Sequence, residues 1–169
     1  MHADLSILYS AQKTFPFRSK WQFRDAEWMV LTSPIDIDGV TVEGLKFRAM
    51  AMRQRPDEHV SFQLEYYPPR RQPRGGPFAR IEWRPLRGHN NKMIGPPELR
   101  NKLQKCTHHH EFWVNWNHSQ NSVRKGALDI SVPIEPEPSY DQIVAFVGKE
   151  FRISNIDWLP SPDWSATMF

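Results

Sequence analysis

Five of the chain's seven histidines fall between positions 89 and 118: His89, His108, His109, His110 and His118. Imidazole titrates near neutral pH, so it can both give and take a proton under ordinary conditions. Two such rings beside a cation can take a proton from a ribose 2′-hydroxyl and return one to a leaving 5′-oxygen. A neighbouring guanidinium would hold the phosphate and offset the charge that builds in the transition state. On this reading His108 and His110 are acid and base, His89 supports them from a loop, and no metal or other cofactor is needed. The same residue types also suit a zinc ion. Cys106, His108 and His110 alternate, and His118 or His89 could complete four ligands. The spacing matches no strong zinc signature: CxxC pairs are absent, and the position where HExxH needs its second histidine after His110 and Glu111 holds Val114. A third reading is structural, with the rings at a sheet rim bonded to backbone.

Charge is concentrated beside these histidines. Residues 68–106 hold ten Lys and Arg but only Glu82 and Glu98, a local excess of +8, while the rest of the chain carries −5. Seven of the ten are Arg, whose planar fork suits phosphate and stacks on bases. Arg70, Arg71 and Arg74 lie on a proline- and glycine-rich stretch, PPRRQPRGGP, that reads as a hairpin tip. Arg84 lies at the end of the next strand, 78–85, and Arg87 follows it. These five are the expected nucleic-acid contacts, with RNA the expected partner. An acidic protein partner for the same basic loop is the alternative.

Several classes are excluded. There is no G-x-x-x-x-G-K-[ST] or G-x-G-x-x-G to cradle a nucleotide, and no G-x-S-x-G nucleophile elbow. Carboxylates are scattered, with no close pair suited to two-metal phosphodiester cleavage. The lone Cys106 cannot form an internal disulfide, which points to a reducing, cytoplasmic setting. No apolar run reaches membrane-spanning length, and the first residues read as neither leader nor anchor.

The elements that must position these groups can be read from periodicity. Asp4 caps a short helix over 5–12. The parity of Phe15, Phe17, Trp21 and Phe23 predicts a strand, followed by strands at 27–33, 40–53 with a bulge at Gly44, 59–67 and 78–85. Residues 35–39 read as a turn, and 86–106, broken by Gly88, Gly95, Pro96 and Pro97, as a loop. Strands are expected at 107–117 and 127–133. In the first, His108 and His110 would extend a core face that continues through Phe112, Val114 and Trp116. Ser139 caps a helix over 140–151, with Ile143, Val144, Phe146, Val147 and Phe151 on its apolar side. The tail, 153–169, is irregular. A chain of 169 residues suits one domain. The expected fold is α+β: a curved antiparallel meander, barrel-like, packed on a C-terminal helix.

Three stretches, RIEWRPLRGHNN (80–91), CTHHHEF (106–112) and FVGKEFRISNI (146–156), resemble a family of small bacterial and mobile-element proteins. That family carries a strand, a G-P-H-x-N-like loop, a G-x-H-x-H strand and a C-terminal helix. The resemblance implies that His89, His108 and His110 correspond to the family's histidines. It also implies a toxin–antitoxin or phage-defence setting. The chain departs from the pattern in carrying His109 and a long segment before the match. A metal-independent endoribonuclease is therefore the leading expectation. The alternatives are a non-catalytic interaction module, such as an antitoxin or phage-encoded inhibitor, and a metal-binding protein.

Overall fold

The computed structural model describes residues 4–69 and 74–164. Its centre is an open sheet of eight antiparallel strands, with the main path β1-β3-β4-β5-β6-β9-β10 and β2 sharing the β3 edge with β1. The strands are β1 (Lys13–Thr14), β2 (Gln22–Phe23), β3 (Trp28–Ile37), β4 (Val40–Met52), β5 (Val60–Tyr66), β6 (Gly76–Trp83), β9 (His108–His110) and β10 (Val132–Pro133). A separate small pair joins β7 (His89–Asn90) to β8 (Leu103–Gln104). The α+β meander is as the periodicity predicts, but the sheet does not close into a barrel.

Alternation explains the long strands. Leu31, Ala49, Phe62 and Ile81 stand in one cross-strand row, and all four are buried. This row is the middle of the core, and an alternating strand can turn only one parity toward it. Helix α4 (Tyr140–Glu150) covers that face, inserting Ile143 and Val147. Its start is set by sequence: Ser139 and Gln142 exchange hydrogen bonds in a capping box. Helix α1 (Leu5–Ser10), capped by Asp4, adds Leu5, Leu8 and Tyr9. Near the turn of the β3–β4 hairpin, pairing passes from Pro34↔Lys46 to Asp36↔Thr41, a bulge that contains Gly44. Gly44 has φ +83°, and a Cβ there would collide with the Tyr67 carbonyl.

Several predicted elements are different in the structure. The aromatic parity at 15–23 yields only β1 and β2 at its ends, because Phe15 is buried while Phe17 and Phe23 are exposed. The turn at 35–39 narrows to Asp38 and Gly39, and β3 runs on through Ile37. The strand at 107–117 stops at His110. Glu111 accepts from Trp113 N and Val114 N, at 3.1 and 2.6 Å, and caps helix α2 (Phe112–His118). Buried Phe112, Asn115 and Trp116 then show helical i, i+3, i+4 spacing. A short α3 (Gln120–Arg124) follows.

Candidate functional site

Register decides which histidines meet. Across β6 and β9, Arg80 stands opposite His110, Ile81 opposite His109 and Glu82 opposite His108. Ile81 belongs to the core row, so His109 lies on the core face, its ring 5.5 Å from that of Phe146 on α4. His108 and His110 lie on the other face. The sequence reading placed them on the core parity, extended through Phe112; the helix at 112 and the β6–β9 register reverse that assignment.

On the face away from α4, the loop 86–106 folds back as β7 and β8 and brings His89 over β9. Ring centroids are 4.7 Å apart for His89 and His110, 5.4 Å for His108 and His110, and 6.1 Å for His89 and His108. The three histidines of the family-like pattern thus converge. Two of them are sealed, with His108 0% and His110 1% exposed, while His89 is half-buried.

Two of the rings are oriented by backbone: His108 Nδ1 is 2.9 Å from the Cys106 carbonyl, and His89 Nε2 is 2.9 Å from the Asp129 carbonyl. His110 Nδ1 is buried without a hydrogen-bond partner. His108 Nε2 is then left 3.2 Å from Glu82 Oε2 without a well-aligned hydrogen bond. Arg80 completes the group: its Nη2 is 3.5 Å from His110 Nε2 and its Nε 3.5 Å from Glu82 Oε1. Burial pushes the Glu82 carboxyl up, but the His108 contact and the Arg80 charge outweigh it and hold the group below the usual carboxylate range. Burial, then the charges of Arg80, His89 and His108, keeps the His110 imidazole well below its ordinary pKa, so it is neutral at pH 7. Possible ligating atoms of Glu82, His108 and His110 all lie within 4.8 Å of one another. The Cys106 thiol is outside that group; what Cys106 contributes is its carbonyl, and burial pushes its thiol pKa up.

The loop is held by side-chain amides. Asn91 donates to the Ser131 carbonyl at 2.9 Å and accepts from Ser131 N at 2.8 Å. Gln104 donates to the same carbonyl at 3.0 Å. Asn115 does the same for Ile130, donating to its carbonyl at 2.8 Å and accepting from its N–H at 2.9 Å. These side chains stand in for a neighbouring strand. For that reason the predicted strand at 127–133 is regular only at Val132–Pro133.

The expected phosphate-binding arginines are spread out. Arg70 and Arg71 lie outside the described residues. Arg74 and Arg87 are exposed. Arg84 sits above the Trp83 ring at 4.6 Å, pairs with Glu137 at 3.7 Å, and lines a separate depression with Lys105. The cation at the histidine centre is instead Arg80, and the carboxylate is Glu82. Their signal was the parity of RIEW, which puts Ile81 and Trp83 inward and the two charged residues on the opposite face. Further along that face, Arg48, Gln63, Arg80 and His110 form one cross-strand row. In the next row Lys46 stands opposite buried Glu65, and Lys46 and Arg48 both lean on that carboxylate, at 3.4 and 3.5 Å, so two cations share it.

Comparison with family models, with curated proteins and with solved structures finds no match to this chain. No helix among the described residues is long and apolar enough to cross a membrane.

Proposed function

We propose that this protein is directed at RNA, which it holds on the open face of its sheet and cleaves at the histidine–carboxylate centre. The observation that carries this reading is the row Arg48–Gln63–Arg80–His110, which places guanidinium groups for phosphate beside a buried imidazole. A phosphate on Arg80 lies next to the groups able to move protons. His89 and Glu82 are the ones with solvent access, so they contact the ribose and the leaving oxygen, and buried His108 and His110 position them. The resemblance of the histidine segments supports a place in a toxin–antitoxin or phage-defence system.

A second reading, a non-catalytic interaction module, is favoured by Leu86, Met93 and Leu103. All three are large, apolar and exposed, and all come from the loop that covers the histidines. One assay separates the two. Labelled single-stranded RNA is expected to bind with salt-sensitive affinity and to be nicked by the wild-type protein but not by His89→Ala. Arg48→Gln and Arg80→Gln are each expected to lower the slope of log K against log salt by about 1. Binding without cleavage would leave the interaction module. An unchanged salt slope in both arginine variants would remove the open face from the account.

A further inference from the structure

Two features of the centre exceed what proton transfer requires. Buried polar atoms are normally satisfied, yet His108 Nε2 is fully buried and has no aligned partner. In addition, His108 has one ring nitrogen on a backbone carbonyl and the other 3.2 Å from the Glu82 carboxylate. Metal-ligating histidines are held in this way: the second nitrogen donates to a carbonyl, which fixes the tautomer and turns the lone pair inward.

We propose that Glu82, His108 and His110 are the protein ligands of a divalent transition-metal ion of the zinc class, and that Arg80 is the cation that takes its place in the metal-free protein. Two neutral imidazoles and one carboxylate form a borderline donor set that suits zinc and its neighbours better than magnesium or calcium. The spacing is close to what is needed. Ligand atoms about 2.0–2.1 Å from a tetrahedral ion lie roughly 3.3 Å apart, and here they already fall within 4.8 Å before any ion draws them in. Arg80 reaches both Glu82 and His110, at 3.5 Å each, from a side chain 27% exposed. A dipositive ion would repel it, and its exposed path lets it swing onto the open face. Three protein ligands leave a fourth position for water, beside His89.

This inference is independent of the RNA reading, because binding is measured without RNA. Metal-free full-length protein is titrated with Zn²⁺ against a chromogenic chelator, and with Co²⁺ while its visible absorption is recorded. The expected result is one ion per chain, with the intense cobalt bands of a four-coordinate site. Glu82→Gln keeps the shape of a partly exposed side chain, so it should stay folded by its thermal melt and weaken binding by at least about tenfold. His108→Ala should abolish the bands. Arg80→Gln should bind the ion more tightly than wild type, since its competitor is gone. Substoichiometric binding by the wild-type protein, or an affinity unchanged by Glu82→Gln, would overturn the site. Weaker binding by Arg80→Gln would overturn the exchange of Arg80 for metal. RNA cleavage lost in Glu82→Gln with full metal affinity would spare the RNA reading and sink this one.

Discussion

His110 is held neutral by its surroundings, and that has a consequence for stability. In the unfolded chain it titrates near pH 6.5. In the folded chain burial, with the charge of Arg80 behind it, pushes the value well below that. Between the two values the unfolded state binds the extra proton, so stability is complete above about pH 6.5 and is lost as pH falls. His109 and His59, also lowered by burial, act in the same direction. Urea unfolding at a series of pH values is expected to show stability declining below pH 6.5, before the carboxylates titrate, with a shallower decline in His110→Gln. A flat profile between pH 7 and 5 in the wild-type protein would contradict the buried, neutral imidazole. Which histidines belong together was legible in the chain, since His89, His108 and His110 do converge. Their charged neighbours were not. Arg84 and Arg87 were the expected cations, but Arg84 leaves the strand at φ +45° and turns toward Glu137, so the last residues with strand alternation, Arg80 and Glu82, face the rings.

The long strands and α4 follow from patterns a single segment carries: alternation in 40–52 and 60–66, and the Ser139 cap with its i, i+3, i+4 apolar face. The parts that failed depend on other segments. Nothing local in ALDISVP says that its backbone will be met by side chains of Asn91, Gln104 and Asn115 from elsewhere in the chain. In FWVNWN the apolar residues fit alternation and helical spacing alike, and the decision falls to Glu111, whose carboxylate takes two amide hydrogens. The amides are the latch of the loop that carries His89. Asn115 is 3% exposed and Asn91 1%. Replacing Asn115 by Ala strands a buried carbonyl and a buried N–H, while replacing Asn91 strands the Ser131 N–H and leaves its carbonyl to Gln104; each replacement should cost about 2–3 kcal/mol. In a chain of this size that is expected to lower the melting temperature by about 4–12 °C. Differential scanning calorimetry checks this. A shift under 2 °C in both variants would mean that water replaces the amides and that the loop is not latched by them.

For the molecule as a whole, the sheet has two unlike faces. One is apolar and covered by α4 and α1. The other carries Lys46, Arg48, Gln63 and Arg80, and ends at the histidine centre under the β7–β8 flap. The uneven charge along the chain, +8 in residues 68–106 against −5 elsewhere, is the sequence-level trace of this polarity. It is only a partial trace, because Lys46, Arg48 and Gln63 lie outside that segment and join it through strand register. An open sheet face with this chemistry tracks a phosphate backbone and leads it to the imidazoles. Ultraviolet crosslinking of bound single-stranded RNA, followed by mass spectrometry of the linked peptides, tests that claim most directly. Crosslinks are expected in the peptides that carry Arg48, Gln63, Arg80 and His89, and not in α4. Crosslinks confined to α4 and the tail, or none at concentrations that saturate binding, would contradict it.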